Sequence, residues 1–143
     1  MTKLILKEEK KDLFTVDNKY CLVHCISSDL AMGAGIAVKF QEKYNLRQKI
    51  RKNNKDGITY PNVYLIGNIF NLVTKELYWH KPTYENFKIT LQMMKHMCGW
   101  NGIKYLAMPK LGCGLDRLSW VKVKETIEEV FDDMDIEILV CYI

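Results

Sequence analysis

Two glycine pairs constrain the fold of this chain most, because each stands between an apolar run and a helix-like segment. The first pair lies in Met32-Gly33-Ala34-Gly35-Ile36-Ala37, which follows the apolar run 21–26. The second lies in Met108-Pro109-Lys110-Leu111-Gly112-Cys113-Gly114-Leu115-Asp116-Arg117, at the exit of another apolar run. Backbone N–H groups at such strand–loop–helix junctions can face an anion. Two junctions of this kind suit a diphosphate.

Short apolar runs alternate with longer amphipathic segments along the whole chain. Runs rich in Val, Ile, Leu, Tyr and Cys predict strands near 2–7, 20–26, 62–67, 69–74, 103–108 and 136–142. Helical spacing of apolar residues predicts helices over 35–53, 83–98 and 119–132. This order is typical of an α/β sandwich with a largely parallel sheet covered on both faces. Ligands bind such folds outside the carboxyl ends of the strands, where both glycine loops fall.

The composition fits one domain spanning residues 1–143, with 48% apolar residues to supply a core. The net charge of +4, from 21 basic and 17 acidic residues, is too mild to indicate a nucleic-acid protein but is compatible with an anionic ligand. A local basic cluster fits the solvated face of a helix better than a polyanion groove, and both interpretations stay open. The cluster consists of Arg47, Lys49, Arg51, Lys52 and Lys55.

The five cysteines lie mostly inside apolar runs, and their odd number argues against a disulfide framework. We therefore expect a reducing intracellular compartment, the cytoplasm or the nucleus. Cys21, His24 and Cys25 lack a second cluster at zinc-like spacing, so we expect no metal. No cleavable leader and no run of about 20 apolar residues is visible, so we expect no membrane association.

Four motifs stand in a characteristic order: His24-Cys25-Ile26-Ser27, then Met32 to Ala37, then His80-Lys81-Pro82-Thr83-Tyr84-Glu85-Asn86, then Met108 to Leu118. Together they closely resemble the macrodomain family, in its terminal ADP-ribose protein glycohydrolase (O-acetyl-ADP-ribose deacetylase) branch. The resemblance runs from about Asp12 to the C-terminus and is weakest over 41–68. It implies a macrodomain-like three-layer α/β/α sandwich with a mixed, largely parallel central sheet.

The resemblance also implies that ADP-ribose binds at the strand ends, with adenine near the start of the chain. Lys11-Asp12-Leu13-Phe14 matches the adenine-end motif, in which Asp12 accepts from the adenine amino group and Leu13 contacts the base. Asp12 could instead merely cap a short turn after the first strand. Ile143 matches a C-terminal position that contacts substrate in this branch.

In this branch one glycine loop holds the distal ribose and phosphates, and the other holds the diphosphate. The substrate-binding residues carried over are Gly33, Ala34, Gly35, Ile36, Ala37, Pro109, Lys110, Leu111, Gly112, Cys113, Gly114 and Leu115. Ser27 matches a substrate-contacting serine, although Ser27 or Ser28 could simply satisfy the loop backbone. Other macrodomain branches carry an asparagine-rich turn here, so Ile26-Ser27-Ser28-Asp29 separates this chain from their water-activating mechanism.

The resemblance assigns catalysis to Lys75 and Asp116. Lys75 matches the nucleophile that attacks the anomeric carbon of the distal ribose, and Asp116 matches its acid/base partner. A free lysine has a pKa of about 10.4, so such a site needs desolvation or neighbouring positive charge to supply unprotonated amine. Lys75 could instead be a solvated strand-end lysine, and Asp116 could sit at the N-terminus of a helix. Lys81 is a rival nucleophile.

These features predict a hydrolase that removes mono-ADP-ribose from ester-type glutamate or aspartate linkages and deacylates O-acetyl-ADP-ribose, without metal or cofactor. The alternatives are a binding module that does not cleave ADP-ribose, and removal of ADP-ribose from nucleic acid. The expected partners are ADP-ribose and an ADP-ribosylated protein or nucleic acid, and we expect a monomer. Three weaker candidates remain: His24 and His80 as acid/base groups, and the pair Tyr78-Trp79, which suits either stacking or packing at the rim.

Overall fold

The computed structural model describes residues 3–143 and contains one six-stranded sheet. The strands are β1 (Ile5–Lys10), β2 (Cys21–Ser27), β3 (Asn62–Ile66), β4 (Ile69–Lys75), β5 (Tyr105–Met108) and β6 (Glu137–Tyr142). Their order across the sheet is β1-β6-β5-β2-β4-β3. All neighbouring strands are parallel except β3 and β4, which pair antiparallel. The mixed, largely parallel sheet expected from the sequence is confirmed.

Helices cover both faces of this sheet. They are α1 (Ile36–Tyr44), α2 (Leu46–Asn53), α3 (Tyr84–Asn101) and α4 (Trp120–Phe131). Phe87 of α3 and Ile127 of α4 pack with Val23 in one apolar cluster. Phe40 of α1 packs with Leu22 in a second cluster. Because adjacent residues of a strand face opposite sides, the two clusters lie on opposite faces, and the sandwich has three layers.

The single helix predicted over 35–53 is wrong: Asn45 breaks it into α1 and α2. Asn45 adopts the left-handed conformation (φ 55°), which asparagine tolerates better than most residues, and its N–H donates to the Gln41 carbonyl at 2.9 Å. The break lets Arg47 donate to the Leu30 carbonyl at 2.7 Å and also to the Ala31 carbonyl. One member of the predicted basic cluster therefore holds the first glycine loop instead of facing only solvent.

The strand predicted over 2–7 is wrong in its bounds, because β1 runs over Ile5–Lys10. Residue 2 lies outside the described residues. β1 is an edge strand, and its polar second half is exposed, which hides it from a search for apolar runs. Backbone pairing with β6 nevertheless continues as far as Lys10 opposite Tyr142. β5 begins at Tyr105 rather than at 103. No helix within residues 3–143 is both long enough and apolar enough to cross a membrane.

A buried polar pair joins β2 to β4 beneath α1. The His24 Nε2–H donates to Asn71 Oδ1 at 2.6 Å, and the Asn71 amide donates to the Tyr64 carbonyl at 3.0 Å. The His24 ring stacks on Phe40 with 3.9 Å between centroids. Burial lowers the pKa of His24 to about 4, although the hydrogen bond with Asn71 raises it. His24 is therefore a neutral packing residue, and it lines none of the cavities described below.

We expect the burial of neutral His24 to make unfolding depend on pH. An unfolded histidine has a pKa of about 6.5, so between that value and about 4 the unfolded chain binds a proton that the folded chain does not. The stabilisation is complete above about pH 6.5 and is lost as the pH falls through about 4, about 3 kcal/mol in total.

Urea unfolding at a series of pH values measures this effect, with His24→Gln as the comparison. The wild type should lose more unfolding free energy than the variant between about pH 7 and pH 4. Parallel curves for the two proteins would contradict the prediction.

Candidate active site

Three adjoining cavities lie at the carboxyl ends of the strands. The central cavity has a volume of about 540 Å³. The β1 cavity, of about 340 Å³, adjoins it and shares Ile36, Pro109 and Lys110. The β4 cavity, of about 420 Å³, adjoins it on another side and shares Lys75 and Lys81. The edge of the sheet where a parallel α/β fold binds ligands therefore carries one extended cleft.

The first glycine loop forms one wall of the central cavity. Gly33 to Ala37 line it, and α1 begins there without a side-chain cap, which leaves first-turn N–H groups for a ligand. Leu30 and Met32 adopt positive φ values of 57° and 45° although neither is glycine. Such backbone is costly and persists only where the surroundings hold it, as Arg47 does here.

The second glycine loop forms the facing wall, and Gly112 is its tightest point. Gly112 has a φ of 70°, and a Cβ there would lie 2.6 Å from Leu118 Cδ1. The Leu118 N–H donates to the Gly112 carbonyl at 2.7 Å, which closes the loop. Cys113 differs from its predicted neighbours, because its side chain packs against the α3/α4 core cluster and lines none of the three cavities.

Lys75 and Asp116 form an ion pair in the central cavity. Lys75 Nζ lies 2.6 Å from Asp116 Oδ1, and each side chain is only 13% exposed. Lys75 ends β4, and Asp116 lies in a turn closed by the Arg117 N–H donating to the Gly114 carbonyl at 3.1 Å. α4 begins only at Trp120, so Asp116 is not in the first turn of a helix. An amine and a carboxylate so placed can exchange a proton directly.

The other potential nucleophiles of this region are engaged differently. Lys81 Nζ donates to the Leu115 carbonyl at 2.5 Å, so it bridges two loops and has no carboxylate partner there. Cys25 lines the central cavity, but burial and the charge of Asp116 raise the pKa of its thiol, which keeps it protonated. Of the candidates in this part of the cleft, Lys75 is the one paired with a possible proton acceptor.

A carboxylate that sequence reasoning did not select organises the end of β2. Asp29 accepts from the Ser27 hydroxyl at 2.5 Å, from the Ala31 N–H at 3.1 Å and from the Tyr78 N–H at 2.9 Å. Burial alone would raise the pKa of Asp29, but these hydrogen bonds outweigh it and hold the pKa below its usual value. Ser27 lines the cavity, whereas the Ser28 hydroxyl donates to the Glu76 carbonyl at 2.9 Å.

The residues predicted for the adenine end lie together in the β1 cavity. Asp12 and Leu13 both line it, and so does Ile143, the predicted C-terminal substrate contact. Asp12 Oδ1 also accepts from the Phe14 N–H at 3.0 Å, so the capping alternative describes part of its role. The carboxylate both fixes the turn and faces the cavity.

The sequence prediction missed several residues that line the central cavity. They are Cys25, Ile26, Ala31 and Met32; Tyr78 and Lys81, which the sequence offered as a stacking candidate and a rival nucleophile, also line the cavity. Ile26 and Met32 each adjoin a predicted residue along the chain, which is the signal that could have found these two. The β4 cavity was not foreseen, because its lining comes from separate segments. Within residues 3–143 no group of three or more His, Cys, Asp or Glu side chains could hold a metal ion.

Comparison with known proteins agrees with this geometry. The chain is 46% identical over 132 residues to the Homo sapiens protein named ADP-ribose glycohydrolase OARD1, covering 92% of this chain and 87% of that protein. No protein-family model matches it.

Solved structures show the same fold. The macrodomain of Thermus aquaticus DarG superimposes with a TM-score of 0.84 at 22% identity, covering 98% of this chain and 99% of that one. Thermosipho africanus DarTG, solved in complex with ADP-ribose, gives a TM-score of 0.78 at 18% identity over 96% of this chain and 41% of that one. The resemblance expected from the four motifs is confirmed: the chain belongs to the macrodomain family, in its ADP-ribose glycohydrolase branch.

Proposed function

We propose that this protein is an ADP-ribose glycohydrolase that releases mono-ADP-ribose from glutamate or aspartate esters and also deacylates O-acetyl-ADP-ribose. The observation that carries the proposal is the Lys75–Asp116 pair, 2.6 Å apart and largely shielded from water in the central cavity. A relative that is 46% identical is named as a glycohydrolase, which supports the reaction class. Lys75 is the nucleophile, and Asp116 is its proton acceptor.

The cleft has the shape needed for ADP-ribose. Adenine occupies the β1 cavity, where Asp12 accepts from its amino group and Leu13 covers the ring. The diphosphate lies between the glycine loops, where backbone N–H groups compensate its charge. The distal ribose then lies over Lys75, because the central cavity runs from the β1 cavity to the ion pair. Ser27 contacts this sugar from the end of β2.

In the proposed reaction Lys75 is the nucleophile and Asp116 accepts its proton. The Lys75 ammonium gives a proton to Asp116, and the amine attacks the anomeric carbon. A C–N bond forms while the ester C–O bond breaks, and its electron pair leaves with the acceptor carboxylate. The resulting glycosylammonium passes one proton from nitrogen to the ring oxygen as the ring opens, which gives a protonated Schiff base and a hydroxyl. Water then adds to the C=N carbon and the C–N bond breaks, which releases ADP-ribose and the Lys75 ammonium, and Asp116 gives its proton to solvent.

Replacement of Lys75 should separate this chemistry from binding. We expect Lys75→Ala to lower release of ADP-ribose from a glutamate-linked mono-ADP-ribosylated peptide by at least about a thousandfold, because no other amine there is paired with a carboxylate. Affinity for free ADP-ribose should change far less, since the glycine loops and the β1 cavity remain. Lys95→Ala is the matched control, because Lys95 is also ion-paired, to Asp133, but lies outside the cleft.

Each alternative has its own signature in this experiment. Equal release by Lys75→Ala and wild type would reject Lys75 and direct attention to Lys81. Binding of ADP-ribose with no release by the wild type would identify a binding module, and release only from an ADP-ribosylated oligonucleotide would assign the acceptor to nucleic acid.

Substitutions in the second glycine loop should separate stability from binding. Gly112→Ala should cost about 1–3 kcal/mol of unfolding free energy, because the new Cβ meets Leu118 at a positive φ. It should also weaken ADP-ribose binding about tenfold as the loop shifts. At Gly114 a Cβ enters open cavity space, so Gly114→Ala should weaken binding without loss of stability.

Urea unfolding and calorimetric titration with ADP-ribose measure the two effects. The control is Gly99→Ala on α3, where a Cβ also meets nothing within 4 Å and no ligand approaches. Normal binding by both loop variants would contradict the placement of the diphosphate.

A further inference from the structure

The β4 cavity has no role in holding ADP-ribose as placed above, yet it opens directly beside the nucleophile. Lys75 and Lys81 line both this cavity and the central one. A group that leaves the anomeric carbon over Lys75 therefore has a second chamber next to it. The remaining lining residues are Tyr60, Thr74, Glu76, Trp79, His80, Thr83 and Asn86.

We propose that the β4 cavity is the acceptor subsite, which takes the glutamyl or aspartyl side chain of an ADP-ribosylated peptide while the adjoining peptide packs on Trp79. This inference rests on the proposed glycohydrolase function. It adds a binding site and a specificity-determining residue that act on the acceptor and not on ADP-ribose.

A buried hydroxyl without a partner marks this cavity as a site for a polar group. Thr74 is 1% exposed, and its Oγ1 has no hydrogen-bond partner among residues 3–143. An unsatisfied buried hydroxyl costs about 1–3 kcal/mol, which a bound acceptor oxygen would recover. Thr74 lines the β4 cavity and directly precedes Lys75 in β4, so the chain brings this residue close to the nucleophile.

The start of α3 gives the same cavity a positive end. Thr83 caps this 18-residue helix, and its Oγ1 accepts from the Asn86 N–H at 3.0 Å. Both Thr83 and Asn86 line the cavity. The N-terminus of a helix favours negative charge. When the ester C–O bond breaks, its electron pair goes to the acceptor oxygen, so the new carboxylate forms where the α3 dipole and the Thr74 hydroxyl stabilise it.

The charges of the cavity favour one carboxylate over a polyanionic strand. Lys75 is neutralised by Asp116, and of the remaining lining residues Lys81 is basic and Glu76 is acidic. The basic residues of α2 and the following loop line none of the three cavities. Because nucleic-acid binding depends on several cations that contact phosphates, this balance fits a peptide acceptor better.

An exposed aromatic pair stands where the two cavities meet. Tyr78 is 65% exposed and lines the central cavity, and Trp79 is 63% exposed and lines the β4 cavity. Their loop is fixed, because the Tyr78 N–H donates to Asp29 and the Trp79 ring packs edge-on against His80 at 4.3 Å. Large aromatic surface on a fixed loop is typical of recognition sites. The Trp79 ring is therefore placed to pack on the peptide that carries the ester.

Two variants test the acceptor subsite independently: Trp79→Ala and Thr74→Val. Trp79→Ala should lower kcat/KM for a glutamate-linked mono-ADP-ribosylated peptide about tenfold relative to kcat/KM for O-acetyl-ADP-ribose, because the small substrate lacks the peptide. Thr74→Val should lower kcat/KM for both substrates about tenfold, because both release a carboxylate. The dissociation constant for free ADP-ribose should stay within about twofold of the wild type. Trp100→Ala replaces another exposed tryptophan, and Thr90→Val replaces a buried threonine whose hydroxyl is already paired with the Phe87 carbonyl. Both controls should behave as the wild type.

The outcomes separate this inference from the function on which it rests. Wild-type release from the peptide with Trp79→Ala and Thr74→Val equal to their controls would overturn the acceptor subsite and leave the glycohydrolase intact. Weakened binding of free ADP-ribose that accounts for the whole loss would place Trp79 in the ADP-ribose site and overturn it too. A loss confined to an ADP-ribosylated oligonucleotide would reject the peptide. Absence of release by the wild type from any of these substrates would reject the glycohydrolase, and the acceptor subsite with it.

Discussion

The cleft depends on one contact between distant parts of the chain, the 2.6 Å ion pair of Lys75 and Asp116. Its members are 41 residues apart, one at the end of a strand and the other in a loop turn. A partly buried ion pair adds little net stability, because desolvation offsets much of the attraction. The ion pair instead fixes the positions of the Lys75 and Asp116 side chains in the central cavity. An irregularity in the β2–β4 register sets Ser27 opposite Lys75, which brings together the two side chains that we propose face the sugar.

Polar contacts from outside the glycine loops hold the walls around this pair. Asp29 ties the first loop to Tyr78, and Arg47 ties it to the start of α2. Lys81 ties the segment after β4 to Leu115 of the second loop. These contacts fix loops whose backbone is otherwise costly, as the positive φ of Met32 shows. The cleft is therefore built before a ligand arrives, so little of the binding energy is needed to order it.

The parts of this structure that follow from local chemistry could be predicted from the sequence. Strand–helix alternation gave the layers, and the glycine pairs marked the ligand end of the sheet. The break at Asn45 could not be predicted in this way, because its stability involves the Leu30 carbonyl, 17 residues from Arg47. The polar half of β1 likewise depends on pairing with β6 at the other end of the chain. The role of Asp29 could not be predicted either, because one of its three hydrogen-bond donors is Tyr78, which only the fold brings near.

The proposed functions of the three cavities depend on different parts of the chain: ligand binding on backbone, and chemistry and acceptor choice on side chains. In the arrangement that we propose, loop backbone holds most of ADP-ribose, and many sequences could supply such backbone if glycines stand at the tight points. In the same proposal, chemistry depends on one amine and one carboxylate, and acceptor choice depends on side chains after β4, such as Trp79. Because the fold places Lys75 where the central and β4 cavities meet, the acceptor walls can change while the sugar and the nucleophile stay in place. Trp79, which lines the β4 cavity and not the central one, is therefore a position where the proposed acceptor subsite can change without changing the proposed ADP-ribose site.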